Sequence, residues 1–233
     1  MSDAFYNLTV MVCRPAFWIS SSPIVLHPER VPARGAFILA PTHLSEYDVP
    51  CLMHISRRNL DFVSIVELFR KRWVGWFFSN MNAFALDRGR VDPATTRTIL
   101  ERLKRGRAVV MFPEGRLRKP EESVLAGGPF KTSLIRIAQL TGAPIIPSVV
   151  LGTGAYREAR AWLPVRQTRF AVNFGPALHV GPGADEGETV RRLRQSWMAL
   201  HDELRAEAGF RGTAADADSR LIRRTASRPP QFS

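Results

Sequence analysis

The chain has 233 residues, with 33 Lys or Arg against 21 Asp or Glu, for a net charge of +12 and a pI near 11. A balance this basic calls for an anionic partner, and its even spread, without a polybasic block, disfavours a simple nucleic-acid arm. Two cysteines exclude a disulfide scaffold, five histidines without H-x-x-x-H or H-E-x-x-H spacing give no metal site, and 45% hydrophobic residues suffice for one sizeable core.

From the N-terminus, no basic n-region is present and the apolar run 8–13 is cut by Arg14-Pro15, so no signal peptide is expected. Residues 4–26 approach the roughly 20 residues of a membrane span but contain Asn7, Arg14, Pro15 and three serines. They read as two short apolar helical pieces, 4–13 and 16–19, around a proline kink. Such a segment suits a membrane interface, with Tyr6, Phe17 and Trp18 at headgroup level. Residues 27–34 are a polar connection. Strands are expected over 36–40, 61–66, 83–86, 108–112, 145–151 and 168–174. Helices are expected over 47–57, 67–80, 93–104, 130–140 and 189–208. Pro93 suits a first helical turn, Gly106 and Gly142 suit helix ends, and Gly209 ends the last helix. That last helix carries Val190, Leu193, Trp197, Leu200 and Leu204 as one packing stripe. The expected fold is α/β: a central, mostly parallel sheet flanked by helices, with an N-terminal membrane-interface helical segment. Three parts follow: residues 1–26 as that segment, 27–210 as the α/β domain, and 211–233 as a polar, disordered tail.

Three groups of chemistry-bearing residues fall at predicted strand ends, where α/β sheets place their sites. After the first strand comes Thr42-His43-Leu44-Ser45-Glu46-Tyr47-Asp48. On one continuous helix His43 and Asp48 would stand roughly 140° apart. They meet if His43 lies on the turn and Asp48 in the first turn of the next helix, with Ser45 as N-cap in a capping-box arrangement. A carboxylate beside an imidazole fixes its tautomer and stabilises the imidazolium, the arrangement of a general base acting on a hydroxyl. Arg88, with Arg90 close by, follows the third strand. Phe112-Pro113-Glu114-Gly115-Arg116-Leu117-Arg118-Lys119 follows the fourth. Gly115 permits close backbone approach or positive φ, and the cations around it suit a phosphate.

These motifs resemble the glycerolipid acyltransferase family typified by 1-acylglycerol-3-phosphate acyltransferase. Its H-x-x-x-x-D motif is matched by His43 and Asp48, and its second motif by residues 82–88. Its Phe-Pro-Glu-Gly motif is matched by Phe112 to Gly115, and its Pro-Ile-Ile-Pro strand by Pro144 to Pro147. The resemblance implies that His43 deprotonates a glycerol hydroxyl attacking an acyl thioester, that Asp48 orients His43, and that no protein nucleophile takes part. The absence of G-x-S-x-G agrees, and Cys51 reads as a core thiol. Arg88, with Arg116 or Arg118, would hold the acceptor's phosphate. Glu114, beside Gly115, would orient these groups or contact the acceptor, and Lys131 would assist or be a surface lysine.

Two positions depart from the family pattern. The commonest third motif continues Thr-Arg-Ser, so its phosphate-binding arginine falls on Leu117, and Asn82 stands where a glycine is common. The implied substrates are acyl-CoA or acyl carrier protein thioesters and a lysophospholipid, foremost 1-acylglycerol-3-phosphate, with no cofactor and no nucleic acid. The implied place is the cytoplasmic face of the cell membrane, peripheral or monotopic. An arginine directly after Phe-Pro-Glu-Gly also resembles acylglycerophosphoethanolamine acyltransferases. Lysophosphatidylethanolamine or a lyso-ornithine lipid therefore stays open as acceptor, as does a non-catalytic basic protein binding membrane or nucleic acid.

Overall fold

The computed structural model describes residues 3–65, 69, 71–86, 93–163 and 167–208. The elements run α1 (Ala4–Ser20), β1 (Ser21–Leu26), β2 (Phe37–Pro41), α2 (Asp48–Ile55), β3 (Leu60–Ile65), α3 (Arg72–Asn80) and β4 (Ala83–Leu86). After these come α4 (Pro93–Lys104), β5 (Ala108–Val110), α5 (Ser133–Thr141), β6 (Ile145–Leu151), β7 (Thr168–Phe174) and α6 (Glu186–Ala208). Among the described residues, seven strands form one sheet in the order β1-β7-β6-β2-β5-β3-β4. All neighbours pair parallel except β6 and β7, so β1 and β7 run against the other five.

The central strands are buried on both faces, which is why they read as unbroken apolar runs rather than alternating ones. Alternate residues still feed two separate cores. Ile38, Val109, Ile145 and Val149 pack with α4, α5 and the α6 stripe. Phe37, Leu39, Ile146 and Val150 pack with α1 and α2. The result is a three-layer α/β/α domain with its helices on both faces, the class the alternating pattern predicts.

Several boundaries differ from expectation, among them the start of α3 at Arg72 rather than 67, the end of α2 at Ile55 rather than 57 and the end of β5 at Val110 rather than 112. Residues 21–26 are not part of a helical segment: they form β1, paired in register with β7 (Ser21 with Thr168, Pro23 with Phe170). Ser-Ser-Pro is a poor interior strand, and an edge position is what tolerates its proline. The N-terminal helix is not broken at Pro15 but continuous over 17 residues. Pro15 lies on its exposed side, where the carbonyl it leaves without an N–H partner is not trapped in the core. α5 starts at Ser133 rather than 130, because Lys131 donates its backbone N–H to Pro113 O (2.8 Å) and is held in the preceding loop. α6 starts at Glu186 rather than 189, four residues before Val190, the first member of its apolar stripe. Gly142 closes α5 in the left-handed conformation (φ 69°), as expected. Gly209 and the expected tail 211–233 lie outside the described residues.

An ion cluster binds α1 to the far end of the sheet. Asp61, 0% exposed, receives Arg107 through Nε (2.6 Å) and Nη2 (2.5 Å) and Arg102 Nη1 at 2.9 Å. Arg107 also grips Asp3, at 2.9 and 3.1 Å, and that bond holds the Asp3 carboxyl down at about 2. Asn82 donates its amide to Asp3 (2.8 Å) and adopts φ +61°. That is a left-handed position, which Gly, Asn and Asp take more readily than other residues, so an asparagine can stand there.

Candidate active site

β2 ends at Pro41, and the next residue fastens the turn to β6. Thr42 donates its N–H to Ser148 O (3.1 Å), and its hydroxyl accepts Val150 N–H (3.0 Å). His43 therefore leaves the C-terminal edge of the sheet on a clamped turn. Its N–H goes to Glu114 Oε2 (3.0 Å) and its carbonyl accepts Arg118 N–H (3.1 Å). The turn after β2 and the loop after β5 are thus tied to each other.

His43 and Asp48 meet as the spacing required. Nδ1 lies 3.1 Å from Asp48 Oδ2, with the imidazole 13% exposed and the carboxylate 0%. The same oxygen accepts the N–H groups of Leu44 (3.0 Å) and Ser45 (3.1 Å). The capping differs in detail from expectation. Asp48 is the first residue of α2, the N-cap is Tyr47, and the Ser45 hydroxyl accepts Tyr47 N–H (3.2 Å). A side chain reaching back to residues 44 and 45 folds the turn tightly enough to bring His43 alongside. Since an ionised carboxylate only accepts, Nδ1 carries the proton and Nε2 is the basic nitrogen. The Phe112 ring lies against the imidazole, centroids 3.8 Å apart and planes at 22°, which fixes its plane.

Glu114 is buried beneath the pair. One oxygen accepts His43 N–H and the other Val124 N–H (2.9 Å). Burial raises its carboxyl above the usual range, against the pull of those two bonds. Of the two readings of Glu114, orientation and acceptor contact, the geometry favours orientation. Gly115 has φ +68°, a conformation that side chains with a Cβ rarely adopt, so glycine is needed there; the Lys131 side chain that a Cβ would meet is flexible and could give way. Arg116 and Leu117 are exposed. Arg118 folds back: its side chain is 15% exposed, 3.7 Å from Glu122, with Nε buried and without a hydrogen-bond partner among the described residues. Arg88 and Arg90 lie outside the described residues. Cys51 is a core thiol, pushed far up by burial and so no nucleophile.

Two contributors went unforeseen. In the sequence Phe112 stands only as part of a motif. Thr153, whose hydroxyl donates to Asp48 Oδ1, follows Leu151-Gly152 at the end of β6. A hydroxyl after a glycine at a strand end was the available signal, of the same kind that marked the other strand ends.

Fold and geometry define a class: an α/β protein presenting a histidine–carboxylate pair at the C-terminal edge of its sheet. Comparison with known proteins makes the class particular. A family model described as Acyltransferase matches residues 23–151. A 1-acyl-sn-glycerol-3-phosphate acyltransferase of Bacillus subtilis is 32% identical over 156 residues, 66% of this chain and 73% of that protein. The chloroplastic 1-acyl-sn-glycerol-3-phosphate acyltransferase BAT2 of Brassica napus is 33% identical over 116 residues, 48% of this chain and 32% of that protein. The crystal structure of the 1-acyl-sn-glycerophosphate (LPA) acyltransferase PlsC from Thermotoga maritima superposes with a TM-score of 0.64 at 21% identity. It covers 91% of this chain and 80% of that one, and shows the shared fold. The chain belongs to the acyltransferase family, and it is an acyl-transfer enzyme.

Proposed function

We propose that the enzyme moves a fatty acyl group from an acyl thioester, acyl-CoA or acyl carrier protein, to the free hydroxyl of 1-acyl-sn-glycerol 3-phosphate, giving phosphatidic acid. The observation that carries this reading is the 3.1 Å bond from His43 Nδ1 to Asp48, which leaves Nε2 as base at the sheet edge. The names of the relatives support the acceptor. His43 Nε2 takes the proton of the acceptor hydroxyl as its oxygen attacks the thioester carbonyl. The tetrahedral intermediate then expels the thiolate, which leaves as thiol with the proton from His43. Asp48 stabilises the imidazolium in between. The test is an acceptor panel assayed with both donor types and labelled acyl groups. Lysophosphatidate should turn over fastest; preference for lysophosphatidylethanolamine or a lyso-ornithine lipid would move the acceptor assignment and leave the chemistry.

Of the two arginines after Gly115, Arg118 is the better phosphate ligand. It is linked to His43 through its backbone and holds a partly buried guanidinium whose Nε has no partner among the described residues. Arg88 joins it on the strength of the motif. Arg118→Ala is expected to raise KM for the acceptor about tenfold or more, the scale of a lost charge-assisted bond, with KM for the thioester unchanged. A change confined to the thioester constant would sink the assignment.

Among the described residues no helix is long and apolar enough to cross a membrane. α1 and α3 nevertheless leave Leu8, Met11, Val12, Ile19, Trp76 and Trp73 exposed, the last at 85%. Phe5 packs edge-on against Trp76 (5.2 Å) and Phe77 (5.9 Å), joining the two helices into one apolar surface. At its other end, Trp162 stands 5.9 Å from Tyr47, next to Asp48. This surface suits peripheral binding at the cytoplasmic face of a bilayer, aided by the net positive charge. The double change Met11→Ser and Trp73→Ser is expected to weaken binding to phosphatidylglycerol vesicles about tenfold in a flotation assay. Unchanged flotation would place the contact elsewhere.

A further inference from the structure

Thr153 lies two residues beyond the span matched by the family model and outside the four motifs. After β6, Gly152 takes a left-handed conformation (φ 86°), and Thr153 opens the short 3-10 turn Thr153–Arg157 that follows. The turn brings the threonine, itself buried, against the start of α2, where its hydroxyl donates to Asp48 Oδ1.

The two oxygens of Asp48 are used very differently. Oδ2 is shared by His43 Nδ1 and by two backbone N–H groups. Oδ1 has the Thr153 hydroxyl as its donor among the described residues. The carboxylate is out of reach of bulk solvent, so without that hydroxyl Oδ1 would be a buried, unpaired charge-bearing atom. The group would then relieve the deficit by turning about its Cβ–Cγ axis or by taking up a proton. Either change costs the imidazole its oriented, charged partner.

We infer that Thr153 is a positioning residue for acyl transfer: its hydroxyl locks the rotation of the Asp48 carboxylate so that Oδ2 faces His43 as an anion when the imidazolium forms. The inference rests on the reading of His43 as base. It predicts an effect on the chemical step and none on substrate binding, since Thr153 touches Asp48 rather than the acceptor or the thioester.

Thr153→Val, nearly isosteric, and Thr153→Ser, which keeps the hydroxyl, test it together with His43→Ala. The measurements are kcat, KM for both substrates, the pH dependence of kcat/KM, and the thermal midpoint. In Thr153→Val, kcat is expected to fall ten- to a hundredfold, the range seen when orienting partners of metal-bound histidines are removed, with both KM values within twofold. The pH profile of kcat/KM should differ from the parent's, because His43 loses the oriented anion that stabilises its protonated form. Thr153→Ser should stay within about threefold of the parent. If the valine variant does not fold, Thr153→Cys, a weak donor of similar size, takes its place with the same expected losses. Wild-type kcat and pH profile in Thr153→Val, with His43→Ala inactive, would overturn the role of Thr153 alone. Equal losses in the Val and Ser variants would overturn the hydroxyl as its agent. Full turnover in His43→Ala would instead overturn the base reading beneath it.

Discussion

His43→Ala abolishes acyl transfer, by about a thousandfold or more in kcat, while the far-ultraviolet circular dichroism and thermal midpoint stay close to those of the parent. The magnitude follows from what is lost. A positioned general base is worth about 10²–10⁴ in rate, and here its removal also idles the carboxylate arranged to stabilise its protonated form. The fold should hold because the features that fasten the turn belong to its backbone and to its neighbours. His43 N–H and C=O remain bonded to Glu114 and Arg118, Thr42 still grips β6, and Asp48 keeps Leu44, Ser45 and Thr153. The loss is the ring and its stack on Phe112. KM for either substrate should move little, since the imidazole acts on the reacting hydroxyl rather than on the phosphate. Turnover within tenfold of the parent would show that another group takes the proton, and the assignment would fall.

Asp61→Ala has the largest effect on stability, and it acts at the other end of the sheet. It leaves Arg102 and Arg107 with their shared carboxylate gone, Arg102 almost wholly buried and stacked over Phe84 at 4.4 Å. Breaking one side of a buried ion pair costs about 3–5 kcal/mol, far more than an exposed pair. For a chain of this size that lowers the thermal midpoint by roughly 10 °C. At a temperature where the variant is folded, kcat should be unchanged. A loss below about 1 kcal/mol in urea titration would mean that the two arginines are satisfied by Asp3 and solvent. Acid adds a second signature. The folded pKa of Asp3 is depressed to about 2, so its contribution is present above the unfolded value near 4 and fades as pH falls from there toward 2.

The central strands were legible because burial on both faces imposes uninterrupted apolar runs, and Ile145–Leu151 begins and ends where its run does. β1 was hidden for the opposite reason. Its stability comes from pairing with β7, 147 positions away in the register Ser21 with Thr168, and a local window over Ser-Ser-Pro holds no trace of that partner. Pro15 misled in the same way, since only the tertiary setting shows that its side of the helix is exposed. The histidine–carboxylate pair was readable from spacing alone, because five residues across a turn leave few ways to join them. Its remaining supports come from distant segments: Phe112, Glu114 and Arg118 from the loop after β5, and Thr153 from the end of β6. Spacing shows which residues lie close in the chain, but not which strand ends the topology sets side by side.

The reversal of β1 and β7 has a mechanical result. Because β1 starts at the catalytic edge, the helix that feeds it must climb the whole height of the sheet, about 25 Å over its 17 residues. It is riveted below through Asp3 and spliced without a linker into a strand above. Fixed at both ends, α1 is a strut and not a lever. Whatever plane its outer side settles upon therefore dictates the tilt of the entire body and the height at which the imidazole rides.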